Sequence, residues 1–163
     1  MLRPKIRRGG MVEFTLNGAA VALDVPSEAS LLQALRGPAG LSGPRFGCGD
    51  EQCGSCMVLV DGKPAYACTL SVAAAVGRAV TTVEGLGTPD APHPLQTAFL
   101  AEQAGQCGYC LSGILVSAAA LLARDPAPDE AAIRAALDPH LCRCGSHNRI
   151  IRAVRRAARE MAA

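Results

Sequence analysis

The sequence predicts an α+β chain made of two parts. Three observations point there. Residues up to Glu84 alternate apolar and polar at strand period and hold two hairpin turns, Asn17-Gly18 and Asp61-Gly62. Beyond Pro94 the apolar residues recur at helical period. The eight cysteines fall four and four on either side of that change.

Taken in order, Val12 to Leu16 reads as a strand, Asn17-Gly18 as a type I′ turn and Ala20 to Val25 as the return strand. Ser30 with Gln33 forms a capping-box pattern at the start of a short helix, SLLQALR, whose apolar side is Leu31, Leu32 and Leu35. Gly37 to Gly49 holds five glycines and two prolines and is read as loop. MVLV, Asp61-Gly62 and KPAYAC make a second hairpin. Arg78 to Glu84 is β-branched and reads as a closing strand. Gly85 to Pro94, with two glycines and three prolines, is a linker. HPLQTAFLAEQA, LSGILVSAAALLA, DEAAIRAALD and NRIIRAVRRAARE then give a four-helix unit with short connections. The expected boundaries are a disordered basic arm over 1–10, an α+β unit over 11–84, a linker over 85–92 and a helical unit over 93–163.

Composition narrows the function. Half of the 163 residues are hydrophobic, but many are Ala and there is no Trp, so the core is thin. A formal charge of +2 gives no basic field for nucleic acid. No window reaches the ~18–20 apolar residues of a membrane span. Arg7-Arg8 invites a twin-arginine export reading, but MVEFTLNGAA after it is interrupted by Glu13 and Asn17. The expected compartment is the cytoplasm, where stable disulfides are uncommon. There is no G-x-G-x-x-G after a strand, no P-loop and no nucleophile–base pair. A substrate pocket or catalytic residue in this chain is not expected.

Cys48, Cys53 and Cys56 are spaced x4 then x2, and eleven residues separate Cys56 from Cys68. That is the spacing of plant-type [2Fe–2S] ferredoxins. Gly47, Gly49 and Gly54 let the loop FGCGDEQCGSC wrap a cluster closely and present backbone N–H groups to its sulfurs. Cys107 and Cys110 are spaced x2, and only Arg143 separates Cys142 from Cys144. Cys53 with Cys56, and Cys142 with Cys144, are candidates to share an iron. Zinc also takes four thiolates, but its structural sites usually join two C-x2–4-C knuckles. Four disulfides fit the even count and lack a secretion signal to support them.

These pieces, with VLVDG, YACTL, HPLQTAF, QCGYC and LCRCG, resemble the iron–sulfur subunit of the xanthine oxidase family of molybdenum hydroxylases over about Val12 to Arg152. The resemblance implies an N-terminal β-grasp ferredoxin domain followed by a four-helix [2Fe–2S]-binding domain. It implies two [2Fe–2S] clusters, one on Cys48, Cys53, Cys56 and Cys68, the other on Cys107, Cys110, Cys142 and Cys144. It further implies a large partner subunit carrying molybdenum on a molybdopterin dinucleotide, with Gln106 and Cys144 against the pterin. Electrons would pass from that partner to the second quartet, then the first, then outward. LCRCGSHNRI and QCGYCLSG look most like small subunits of nicotinate dehydrogenase and isoquinoline oxidoreductase, whose partners often feed a c-type cytochrome instead of a flavin subunit. Met57 stands where relatives commonly carry Thr. The alternative reading is a free-standing two-cluster ferredoxin with no molybdenum partner.

Residues outside the quartets read more plainly. Tyr109 screens a cluster or packs. Arg45 and Arg143 flank ligands, where positive charge favours the reduced state. His93, His140 and His147 are expected in structural roles. Arg149, Arg152, Arg156 and Arg159 line the last helix as a wet face.

Overall fold

The computed structural model describes residues 10–162. The expected arm, with Arg7-Arg8, lies outside the described residues but for Gly10, which opens the first strand. Strands β1 (Gly10–Leu16) and β2 (Ala19–Val25) form an antiparallel hairpin. Asn17 and Gly18 take φ of 50° and 84°, the left-handed pair that a type I′ turn requires. Helix α1 (Leu31–Arg36) follows, closed by the reciprocal Ser30–Gln33 box. Strands β3 (Met57–Val60) and β4 (Lys63–Tyr66) form the second hairpin, and Asp61 and Gly62 repeat the positive-φ pair at 49° and 76°.

Strand β5 (Ala79–Thr81) lies between the hairpins, parallel to β1 and antiparallel to β3. The sheet order is β2-β1-β5-β3-β4. This is the β-grasp arrangement, with α1 packed on one face through Leu31, Leu32 and Leu35. β5 is shorter than the expected Arg78–Glu84. The Asn17 side chain explains it: Oδ1 accepts the Thr82 N–H at 2.8 Å and Nδ2 donates to Thr82 Oγ1 at 3.0 Å. These bonds take Thr82 out of the ladder, and a 3-10 turn over Val83–Gly85 follows.

Glu84 then ties the turn to the cysteine-bearing loop. Its carboxylate accepts the N–H groups of Ser42 (3.2 Å) and Gly43 (2.6 Å) and the Thr82 hydroxyl (2.6 Å). Burial pushes its pKa up, but these three donors outweigh it and hold the group below the usual carboxylate range. A depressed carboxyl stabilises the fold above its unfolded pKa of about 4.3, and the benefit is lost as pH falls through its folded value. Glu84→Gln should therefore cost about 0.5–1.5 kcal/mol at neutral pH, discounted for the carboxylate's exposure, and flatten the acid limb of the stability curve. Denaturant unfolding at several pH values checks this. An unchanged acid limb would contradict the assignment.

The helical half comprises α2 (Pro94–Ala101), α3 (Leu111–Arg124), α4 (Glu130–Leu137) and α5 (His147–Ala162). His93 caps α2: its Nδ1 accepts the Leu95 N–H at 3.1 Å while Gln96 Oε1 accepts the His93 N–H at 2.9 Å. Helices α2 and α5 pack through Leu95, Phe99, Ile150 and Val154. The arginine face of α5 is exposed, with Arg152 and Arg156 paired to Glu102 across to the end of α2.

The two halves meet through β3, all four of whose residues are buried. Strand alternation sends Val58 and Val60 into the sheet core and Met57 and Leu59 to the other side. There they pack against Val116 and Ala120 of α3. The close approach runs through glycine: a Cβ on Gly113 would lie 2.0 Å from the Gly54 carbonyl oxygen. Gly113→Ala would usually favour a helix. Here it must part the halves, at about 1–3 kcal/mol for overpacking, and lower the holoprotein's melting midpoint by several degrees. An unchanged midpoint would show that the interface yields freely.

Candidate metal centre

The loop from Phe46 to Cys56 turns on residues of positive φ, with Gly49 at 74°, Gly54 at 68° and Glu51 at 55°. Glu51 is no glycine, and its carboxylate is anchored by the Thr69 hydroxyl. These turns aim backbone N–H groups at sulfur. Asp50 and Gln52 donate to Cys48 Sγ at 3.4 and 3.2 Å, and Cys48 N donates to Cys53 Sγ at 3.3 Å. The Asp50 and Gln52 amides draw the Cys48 thiol down to about 7. Gly47 has no room for a side chain, since its Cβ would lie 2.5 Å from Cys53 Sγ.

In the helical half, Gly108 (φ 78°) and Gly145 (φ 71°) play the same part beside their cysteines. The Tyr109 N–H, with the Cys144 thiol, lowers Cys107. Burial raises Cys142, but the Ser146 N–H and its neighbours reverse the shift. Burial pushes Cys56 and Cys110 up to about 12. Those two groups need a cation beside them to be held as thiolates.

The thiols contact one another in four pairs: Cys48–Cys53, Cys56–Cys68, Cys107–Cys144 and Cys110–Cys142. These are not the Cys53/Cys56 and Cys142/Cys144 pairs suggested by spacing. Cys48 and Cys53 meet across the turn at Gly49 to Gln52, and the other three pairs bring together cysteines from separate segments. All eight cysteines are free, and among the described residues no three His, Cys, Asp or Glu side chains converge as a single ion would require. Two thiolates per iron, spread over a diiron unit, fit such pairs better than one tetrahedral zinc.

Cys48 and Cys53 of the first quartet and all four cysteines of the second line one cavity of about 390 Å³. The donor set, the glycine cradle and the inward amides fit a [2Fe–2S] cluster at each quartet. Two buried hydroxyls without a partner, Ser112 Oγ and Ser146 Oγ, sit two residues beyond Cys110 and Cys144.

Three hydrogen bonds join the cysteine loops across the halves, and sequence reasoning found none of them. Leu141 N donates to Cys53 O at 3.1 Å. Arg45 donates to Gly108 O at 3.0 Å, and its guanidinium stands over the Tyr109 ring, 5.3 Å from the centroid. The Tyr109 hydroxyl donates to Phe46 O. Each rests on pairing between distant segments, for which a single sequence carries no signal. Gln106 and Cys144 do meet: the exposed Gln106 donates from Nε2 to Cys144 O at 3.3 Å. Arg143 lines the cavity beside them. His140 is buried and is held neutral, its pKa pushed down by burial to about 4, with Ser117 beside it. The His147 ring lies 3.4 Å from His140 O at the start of α5.

Residues 14–77 match a family described as a 2Fe-2S iron-sulfur cluster binding domain, and residues 82–155 one described as a [2Fe-2S] binding domain. The chain is 48% identical to a nicotinate dehydrogenase subunit of Pseudomonas putida, over 90% of its own length and 94% of that relative. It is also 48% identical to the alpha chain of isoquinoline 1-oxidoreductase from Brevundimonas diminuta, over 93% of this chain and all of that one (100%). A solved chain of quinoline 2-oxidoreductase from Pseudomonas putida 86 superposes with a TM-score of 0.91 at 36% identity, covering 96% of this chain and 97% of that one.

Proposed function

From the premise that this chain belongs to the iron–sulfur subunits of the xanthine oxidase family of molybdenum hydroxylases, we propose that its two cysteine quartets form a short electron path from a large, molybdopterin-binding partner to an external acceptor. The chain is the electron-transfer subunit of an oxidoreductase complex. The observation that carries the proposed path is the single cavity that cysteines of both quartets line.

A [2Fe–2S] cluster, when bound, takes up and releases one electron without breaking bonds in the protein. The residues supply the rest. Cys48, Cys53, Cys56 and Cys68 would hold one cluster, and Cys107, Cys110, Cys142 and Cys144 the other. The Asp50 and Gln52 amides favour charge on Cys48. Arg45, pinned between Gly108 O and Tyr109, keeps a positive charge beside both cysteine loops and favours the reduced state. Tyr109 and Leu141 wall the shared cavity.

We assign the exposed Gln106, bonded to Cys144 O, and Cys144 itself to the face toward the pterin of the large subunit, with the second quartet as the entry side. The exposed Cys48 end is the exit, toward a c-type cytochrome in this reading and a flavin subunit in the alternative. The relatives act on nicotinate and isoquinoline by name, and we extend the class of N-heteroaromatic substrates to this chain's complex. The proposed compartment is the cytoplasm. Among the described residues no helix is long and apolar enough to cross a membrane.

Native anaerobic purification tests the proposal, with iron and molybdenum measured on the same fraction. The expected result is about four irons per small chain, visible charge-transfer bands and a co-eluting large chain that carries the molybdenum. Elution alone with full iron would favour a free-standing ferredoxin. Zinc without iron would end both readings.

A further inference from the structure

His140 sits where the two halves touch, and nothing in the ligand chemistry requires a histidine there. It is only 4% exposed. Its Nε2 lies 2.7 Å from Ser117 Oγ on α3. Its Nδ1 faces the Gly54 backbone without reaching regular hydrogen-bond geometry. The fit against Gly54 is tight: a Cβ there would lie 2.3 Å from Nδ1 and 2.8 Å from Pro139 O. On the other side of Gly54, a Cβ on Gly113 would strike its carbonyl oxygen. The next residue, Leu141, donates its N–H to Cys53 O, and Cys142 follows directly. His140 N is itself held by Leu137 O at 3.0 Å, at the end of α4.

A ring wedged between α3 and the Gly54 turn thus stands beside the one backbone hydrogen bond that links a cysteine of the first quartet to the neighbour of a cysteine of the second. We infer that His140 is a positioning residue: through Ser117 and Gly54 it fixes the register of the two cysteine loops and hence the separation of the quartets. An imidazole suits the task. It is flat enough to slide between two glycine-bearing segments, and it carries a polar atom on each edge. An aliphatic side chain of like volume would fill the space but leave Ser117 Oγ unpaired and give the loops no fixed azimuth. The inference rests on the proposed ligand sets.

The test uses the holoprotein in its complex, comparing wild type with His140→Ala, Ser117→Ala and His140→Gln. Gln can still reach the Ser117 hydroxyl. Iron content is measured first, then hydrogen–deuterium exchange of the segment 138–146, then the magnetic interaction between the two reduced centres by low-temperature EPR. In His140→Ala iron should stay at the wild-type level. Exchange at the Leu141 amide should rise about tenfold, the size expected for one hydrogen bond released. The magnetic interaction should change with it, while amides in β1, β2, α2 and α5 keep their wild-type rates. Ser117→Ala should show a smaller rise, and His140→Gln should restore much of the loss. An unchanged Leu141 amide in His140→Ala overturns the inference. So does a uniform rise through the whole chain, which would mark a general loss of stability. Wild-type protein without iron would instead strike at the ligand sets, leaving the exchange at Leu141 to decide the role of His140.

Discussion

Cys110→Ser is expected to abolish turnover of the complex while leaving the N-terminal sheet and its quartet intact. Cys110 is buried at the head of α3, and its carbonyl accepts the Ile114 N–H at 3.1 Å, so a serine preserves the helix start. The thiol contacts Cys142, and burial opposes its charge strongly. A serine hydroxyl ionises far less readily and is a poor soft ligand, so the second quartet should lose its iron. Iron should fall from about four to about two per chain, and one of two EPR signals should vanish on reduction. Cys56→Ser makes the complementary test, because Cys56 is equally buried and contacts Cys68. It should remove the other signal. The two losses together assign each signal to a quartet. Persistence of both signals in Cys110→Ser would refute the second ligand set.

Turnover stops in either variant because the proposed quartets lie in series along one cavity. Yet the variants should differ in what remains. If the Gln106–Cys144 face is the entry side, Cys56→Ser still allows reduction of the second quartet by substrate within one turnover. Cys110→Ser does not, and its surviving centre should stay oxidised under substrate while dithionite reduces it. Rapid-freeze EPR distinguishes the two cases. Substrate reduction of the surviving centre in Cys110→Ser would reverse the proposed order.

Much of this arrangement is legible locally. Asn17-Gly18 and Asp61-Gly62 announce their turns because few other pairs accept two positive φ values. Ser30–Gln33 announces a helix start because the two side chains satisfy each other's backbone. The cysteine spacings are local as well. What escapes a sequence reading is set by segments far apart in the chain. β5 stops at Thr81 because Asn17, 65 positions from Thr82, takes the next donor. The thiol pairs depart from those that spacing suggests because cysteines such as Cys107 and Cys144 converge from separate segments. The burial of Met57 and Leu59 is hidden because strand alternation reveals that a face exists, not what covers it.

Removal of iron is the second large effect, and it should strike the two halves unequally. The N-terminal half keeps a sheet core of Val12, Phe14, Leu16, Val58 and Val80 under α1, closed by two intact hairpins. The helical half leans on small residues, with Ala98, Ala104, Ala118, Ala153 and Ala157 fully buried. Such contacts contribute little area per residue. Its α2–α3 and α4–α5 connections are the stretches that hold Cys107, Cys110, Cys142 and Cys144. Without metal those stretches keep turn hydrogen bonds and a few bonds across to the N-terminal loop, and must hold Cys110 and Cys142 as buried thiols. The free energy of metal binding is folding free energy here, on the order of 5 kcal/mol or more for each site. Thermal scans should show the apo chain melting well below the holo chain. Hydrogen exchange on apo protein should find α4 and α5 unprotected while β1, β2 and β3 keep measurable protection. The junction should open with them, because Leu141 N, His140 and Gly113 are all placed from the helical side. Equal midpoints would mean that the apolar cores alone hold the fold. Loss of the sheet before the helices would mean that the N-terminal quartet is the chief staple, and that the alanine-rich packing is stronger than its area implies.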